Sequence, residues 1–209
     1  KGLGLTLLRT CLDSIRQQTF DNYEIIIPDH SINNKIEQGL IEYKDLNILH
    51  FFNSRGRGNA SINMNEGIKK ATGDIIKIMH FDDYFCNKTT LQFIHDKFNS
   101  TDLKWGLVGF NHLTNNELHR VIIPSRIRWG CPSVSFFIND KVDPIYFDEN
   151  LIWINDHEIY TRLLKKYGDP VIIDNICVTI RMHENQVSNI LPSSRLDEEW
   201  KYFHNKHPK

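Results

Sequence analysis

Cysteine is scarce in this chain, and long apolar runs are missing altogether. The four cysteines among 209 residues, Cys11, Cys86, Cys131 and Cys177, lie far apart, with no CxxC pair and no zinc-ligand spacing. That argues against a disulfide-built scaffold and fits reduced thiols in a cytosolic protein. Apolar runs stop after a few residues, as in Ile25-Ile26-Ile27, far short of the roughly 20 needed to span a bilayer. An excess of positive charge is absent too: 25 Lys and Arg against 26 Asp and Glu leave a formal net charge of −1. No basic field is on hand to hold DNA, RNA or an anionic membrane, so nucleic acid is not an expected partner. Repeats, low-complexity tracts and linkers are lacking, and the first residues carry no leader pattern, which sets the expectation of a cytoplasmic protein. What is present is 40% hydrophobic residues, 11% of the chain being aromatic, enough to bury a core. The expectation is one globular domain over residues 1–209.

The apolar pattern divides the chain into two halves, about 1–100 and 101–209. In the first, Leu5, Leu8, Leu12 and Ile15 fall three or four apart on one helix face, and Tyr23–Ile27 is a continuous apolar run stopped by Pro28. A helix from about Asn33 to Tyr43 and a strand over Leu46–Phe52 follow. A helix with Ala60, Met64, Ile68 and Ala71 on one face comes next, closed by Gly73, and then a strand over Asp74–Met79. Alternating β and α segments with near-continuous apolar strands predict an α/β fold with a mixed, mostly parallel sheet flanked by helices. The second half predicts strands over Trp105–His112 and Leu118–Ile123 joined by the turn Thr114-Asn115-Asn116-Glu117. It continues with a strand over Ser133–Asn139, a helix over Ile154–Tyr167, short strands at Val171–Ile173 and Cys177–Arg181, and a last helix near Ser194–His204.

Open α/β sheets bind ligands outside the carboxyl ends of their strands. Two such ends carry acids: Asp29-His30-Ser31 after Tyr23–Pro28, and Asp82-Asp83 after Asp74–Met79. Adjacent carboxylates repel, and a divalent cation bridging a diphosphate relieves that repulsion. Taken alone, the Asp pair reads more readily as a solvated loop that caps a helix from about Thr89.

The ordered combination of segments carries more. LRTCLDSIRQQTFDNYEIIIPDHS, GNASINMNEGIKKATGDIIKIMHFDDYF, CPSVSFF, FDENLIWINDHEIYTRLLKKYG and RMHENQVS, spread from Leu8 to Ser188, resemble in sequence and order the blocks of family-2 glycosyltransferases of the GT-A fold. The resemblance implies an inverting transferase that moves one sugar from a nucleotide diphosphate sugar, UDP- or GDP-linked, to a glycan or glycolipid acceptor. The first half would bind nucleotide and the second the acceptor. It implies a divalent metal, Mn²⁺ or Mg²⁺, and a location that is cytoplasmic, peripheral to a membrane where the acceptor is lipid-linked. By position, Asp29 matches the carboxylate on the nucleotide base or ribose, and Asn65 lies on the helix flanking that pocket. Asp82 matches the ribose contact, Asp83 the metal contact, Asp156 the general base, and His183 a position that reaches the metal or diphosphate. Simpler roles stand beside these: local pairing for Asn65, helix capping for Asp156, a hydrogen-bonded structural histidine for His183.

The chain also departs from the family pattern. No strand precedes Lys1 where the family has its opening strand, so the sequence reads as a fragment and Tyr23–Ile27 should have one unpaired side. His80 stands where many members have the first Asp of a DxD-like motif, and His30 and Ser31 replace the usual Asp and Gly. The processive signature QxxRW is absent, which disfavours a polymer-extruding synthase. A binding module that has lost turnover is the main rival. A nucleotidyltransferase would call for a Gly-rich, basic loop near the start of the chain, which is not seen. Arg55 and Arg57 read as a solvated loop, and Trp105, Trp129 and Trp153 as core or rim packing.

Overall fold

The computed structural model describes residues 3–100, 102–126 and 128–208. The amphipathic opening segment forms α1 (Leu3–Arg16), which buries Leu8, Cys11, Leu12 and Ile15 as its spacing predicts. The apolar run beyond it forms β1 (Ile25–Asp29). A short helix, α2 (Lys35–Gly39), and a 3₁₀ turn at Leu40–Tyr43 carry the chain over to β2 (Ile48–Phe52), which pairs with β1 in parallel. α3 (Ala60–Lys70) begins at Asn59, whose side chain accepts the Ile62 N–H, as an N-cap should. β3 (Ile75–Lys77), β4 (Tyr84–Phe85) and α4 (Thr90–Ser100) complete the first half.

The second half is built on β5 (Trp105–Thr114), whose first seven residues are buried. β6 (Glu117–Ile122) folds back on it through Asn115 and Asn116, both at positive φ (51° and 63°), the geometry of a tight hairpin turn that Asn tolerates. A 3₁₀ turn (Pro132–Val134) leads into β7 (Ser135–Ile138). α5 (Asn155–Tyr167), β8 (Val171–Arg181), α6 (Val187–Ile190) and α7 (Ser193–Lys206) follow.

The strands form a two-stranded sheet, β1-β2, and a larger sheet in the order β3-β7-β5-β8-β4, with β6 on β5. β8 runs along one edge of β5, while β7 and then β6 share the other. β1 pairs with β2 alone, so among the described residues its other edge is unpaired, as expected for Tyr23–Ile27; the position it was tied to, Lys1, lies outside the described residues.

Two expectations are corrected. Only β1–β2 and β5–β8 are parallel among the described strand pairs, and the other four are antiparallel. The α/β architecture stands, but the sheet is not mostly parallel. Near-continuous apolar runs report burial on both faces, which helices can provide whatever the strand direction. The two short strands expected at Val171–Ile173 and Cys177–Arg181 are one strand. Its pairing with β5 slips between Val108/Ile173 and Gly109/Ile176, so the polar Asp174 and Asn175 bulge outward without ending it.

Gly106 sits where β7, β5 and β8 come closest. A Cβ there would lie 2.4 Å from Phe136 Cζ and 2.5 Å from the Val171 carbonyl oxygen. Gly106→Ala should therefore destabilise the fold by roughly 1–3 kcal/mol through overpacking, read as a lower urea midpoint at unchanged slope. An unchanged midpoint would mean that β5 and β8 can part at no cost.

Candidate active site

Three chain segments converge beyond β3. Past Lys77 the chain runs through Ile78-Met79 into a turn in which the Asp83 N–H donates to the His80 carbonyl (3.1 Å). Antiparallel pairing of β4 with β8 then sets Asp83 beside the end of β8, where the Arg181 N–H donates to Asp83 Oδ1 (3.0 Å). From the turn before β7, Ser133 Oγ accepts the His80 N–H (2.9 Å), and Cys131 Sγ lies 3.7 Å from Asp83 Oδ2. Lys77 braces this junction, its ammonium donating to the carbonyls of Ile78 and Ser133. Burial brings that ammonium's pKa down to about 8, against the neighbouring Cys131, Cys177 and Asp83, which act in the other direction.

Asp83 is 3% exposed, and its carboxyl titrates above the usual carboxylate range. Burial is the main cause and the adjacent Asp82 charge the second; His80 and hydrogen bonds from Ser133 and Arg181 act against them. One ligand atom each from His80, Asp82 and Asp83 lie within 4.8 Å of one another. The buried Nε2 of His80 has no hydrogen-bond partner among the described residues. Two repelling carboxylates and an orphaned imidazole nitrogen make a donor set that fits a divalent cation. His183, expected near the metal, does not join that group of three. Its Nε2 pairs with Asp82 Oδ2 (2.9 Å), and its Nδ1 is buried with no hydrogen-bond partner among the described residues.

Asp156 is the second residue of α5, and the helix begins from Ile154 with no side-chain cap. Asp156 is not the N-cap residue, yet it serves the same turn: its Oδ1 accepts the first-turn His157 N–H (2.7 Å) and meets His157 Nδ1 (3.2 Å). One turn on, Tyr160 donates its hydroxyl to the Cys131 carbonyl (3.0 Å). Burial pushes the Cys131 thiol well above its ordinary pKa, and the charges of Asp83 and Asp156 both push it the same way. Cys131 thus meets Asp83 through its thiol and α5, one turn beyond Asp156, through its carbonyl.

Asp29 stands at the end of β1, 6% exposed, with Oδ1 accepting the Ser31 N–H (2.7 Å) and Oδ2 paired with His50 Nε2 (3.0 Å). Sequence reasoning missed His50. The only signal was a polar residue inside the apolar Ile48–Phe52 run, and it gains meaning once the parallel register sets Ile27 opposite His50. Asn65 is corrected. Its amide donates to the Phe147 carbonyl (2.9 Å) and accepts the Phe147 N–H (2.7 Å), so it ties α3 to the second half instead of facing a nucleotide. Arg55, read as solvated, is paired with Glu149 and Glu66. Trp105 packs on Tyr160 in the interior, and the half-buried Trp129 packs against both.

Residues 5–106 match the family model described as glycosyl transferase family 2. The chain is 25% identical over 213 residues to an uncharacterized glycosyltransferase of Rickettsia typhi, covering 89% of this chain and 63% of that protein. It is 31% identical over 99 residues to EpsH of Bacillus subtilis, a glycosyltransferase by name assignment only, covering 47% of this chain and 28% of EpsH. The chain therefore spans less than two thirds of either relative. The S. aureus protein TarS, crystallised with UDP-GlcNAc, superposes with a TM-score of 0.73 at 17% identity over 90% of this chain and 58% of that one. A second crystal structure of TarS residues 1–349 gives the same TM-score over 98% of this chain and 69% of that one. These superpositions establish a shared fold. No helix among the described residues is long and apolar enough to cross a membrane.

The raised pKa of Asp83 has a consequence for stability. A carboxyl whose folded pKa lies above its ordinary 3.8 favours the fold most below that value, and this contribution fades as pH rises through the folded pKa. Asp83→Asn can keep the bond from Arg181 while losing the charge. Without divalent cations it should be more stable than the parent at pH 7, with the difference growing from about pH 4 upward. Chemical denaturation across that range measures it, and equal stability at pH 7 would contradict the burial argument.

Proposed function

We propose that this chain, a member of glycosyl transferase family 2, transfers one sugar from a nucleotide diphosphate sugar to a hydroxyl of a glycan or glycolipid, inverting the anomeric centre. The observation that carries the reading is the cluster of His80, Asp82 and Asp83, which Cys131 links to α5, the helix that holds Asp156. An acid group at a strand end and a second at a helix start suit a reaction with two charged ends. At one end an acceptor hydroxyl loses its proton, and at the other a nucleoside diphosphate leaves.

In this reading Asp156 receives the proton from the acceptor hydroxyl as its oxygen bonds to the anomeric carbon. The bond from that carbon to the diphosphate breaks on the opposite side, so configuration inverts. Asp29, oriented by His50, and Asp82, oriented by His183, contact the nucleoside. Asp83 with Asp82 and His80 would hold Mn²⁺ or Mg²⁺, which when bound offsets the charge on the diphosphate. The half-buried setting of Asp156, its side chain 18% exposed, limits water near the proton transfer, while both of its hydrogen bonds to His157 fall on Oδ1 and not on Oδ2. TarS with UDP-GlcNAc makes a uridine donor the first to try.

Asp156→Asn should lower turnover of the donor by roughly 10²–10⁴, the usual worth of a general base, with the dissociation constant for UDP nearly unchanged. Asp83→Asn should instead abolish the tightening of UDP binding by Mn²⁺. A parent protein that binds UDP with Mn²⁺ but releases no product with any of a panel of glycan acceptors would favour a binding module.

A further inference from the structure

Glu199 stands out among the groups outside this site. It lies on α7 in the polar stretch Leu196-Asp197-Glu198-Glu199, yet only 1% of it is exposed. Burying a carboxylate is costly unless its oxygens are satisfied, and here they are satisfied by one short piece of backbone. Oε1 accepts the Ile152 N–H (3.0 Å), and Oε2 accepts those of Trp153 (2.9 Å) and Ile154 (3.2 Å). Arg195, one turn earlier on α7, places its Nε 3.2 Å from Oε1. The three amides lead directly into α5, so an anion from a different helix stands at the positive end of the helix that begins with Asn155-Asp156.

The neighbouring residue reinforces the same spot. The Trp200 ring packs edge-on against Trp153 (6.0 Å between centroids) and against His157 (5.7 Å), and His157 Nδ1 meets the Asp156 carboxylate. From the opposite side Asn155 donates to Ser61 Oγ on α3 (3.0 Å). An apolar residue at 199 would avoid the cost of a buried charge but would leave these three amides without that acceptor. What it would not do is set the direction of three successive amides two residues ahead of Asp156.

We infer that α7 is the positioning element of Asp156, with Glu199 fixing the turn before it and Trp200 fixing His157 beside it. This rests on Asp156 being the general base. Misplacing a base by about 1 Å is enough to cost on the order of 10²-fold in rate, so the arrangement predicts an effect on turnover larger than its effect on binding.

The test compares parent, Glu199→Gln, Glu199→Asp, Asp156→Asn and the Glu199→Gln/Asp156→Asn double variant. The readouts are nucleotide release from whichever of a panel of UDP- and GDP-sugars the parent turns over fastest, and binding of UDP with Mn²⁺. Glu199→Gln should lower kcat about 10–100-fold while donor KM and the UDP dissociation constant stay within about twofold, and Glu199→Asp should fall between. On the Asp156→Asn background Glu199→Gln should cost nothing more, because the two residues act as a unit. Should Glu199→Gln fail to bind UDP, Glu199→Asp and Trp200→Phe are judged by the same cycle. Retention of kcat within twofold, or the same fold-loss on the Asp156→Asn background, overturns the inference while leaving the base in place. Full turnover by Asp156→Asn overturns the base assignment itself, and the positioning role with it.

Discussion

The carboxylate of Asp83 is the point on which the rest of the site depends. An acid that is almost out of water, next to a second acid, is an unfavourable arrangement that the surrounding chain has to support. β8 contributes an amide, the turn before β7 contributes a hydroxyl and a thiol, and His80 stands close by. Each comes from a different part of the chain, so Asp83 acquires its setting only when β3, β4, β7 and β8 are in register. The residual repulsion is what a cation, or a polar ligand that brings donors, would relieve.

Joining the halves is the work of small polar side chains on α3. Asn59 donates to the Glu149 carbonyl (2.8 Å), Ser61 to the Leu151 carbonyl (2.6 Å), and Asn65 exchanges two bonds with Phe147. A run of irregular chain, 147–151, is thereby held to a helix of the first half as closely as a strand to its neighbour. Buried hydrogen bonds contribute modestly when made and cost more when broken, so this seam fixes position more than it adds stability. α5 starts a few residues later, and α7 completes the support from the other side. Asp156 is therefore located by residues from both halves of the chain.

Much of the fold was legible in sequence because burial leaves a local pattern. The spacing of Leu8, Leu12 and Ile15 gave α1, the Asn115-Asn116 pair gave the β5–β6 turn, and the acids at strand ends marked where a ligand would sit. The order of five sequence blocks carried the resemblance to family-2 glycosyltransferases, and the family-2 model matches residues 5–106 of the same chain. Strand direction was not legible, because an apolar run looks the same whichever way its neighbour runs. Nor was the continuity of β8, where two polar residues bulge without ending the pairing.

Side-chain roles divide along the same line. Composition and spacing by themselves determined that Asp29, Asp82, Asp83 and Asp156 are acids placed at the ends of strands or the start of a helix, because those positions follow from local periodicity. Whether each acid is paired, free or raised in pKa depends on residues far away in the chain. His50 reaches Asp29 only through strand register, His183 reaches Asp82 from 101 residues away, and Asn65 turns to Phe147 instead of a ligand. Glu199 is the clearest case: in sequence it is one charge among several on a polar helix, and only the packing of α7 against the start of α5 takes it out of water. Local pattern reports which residues are buried together with their own segment, whereas the partner of a buried charge is chosen by the tertiary fold, since only there do segments distant in sequence come within hydrogen-bonding distance.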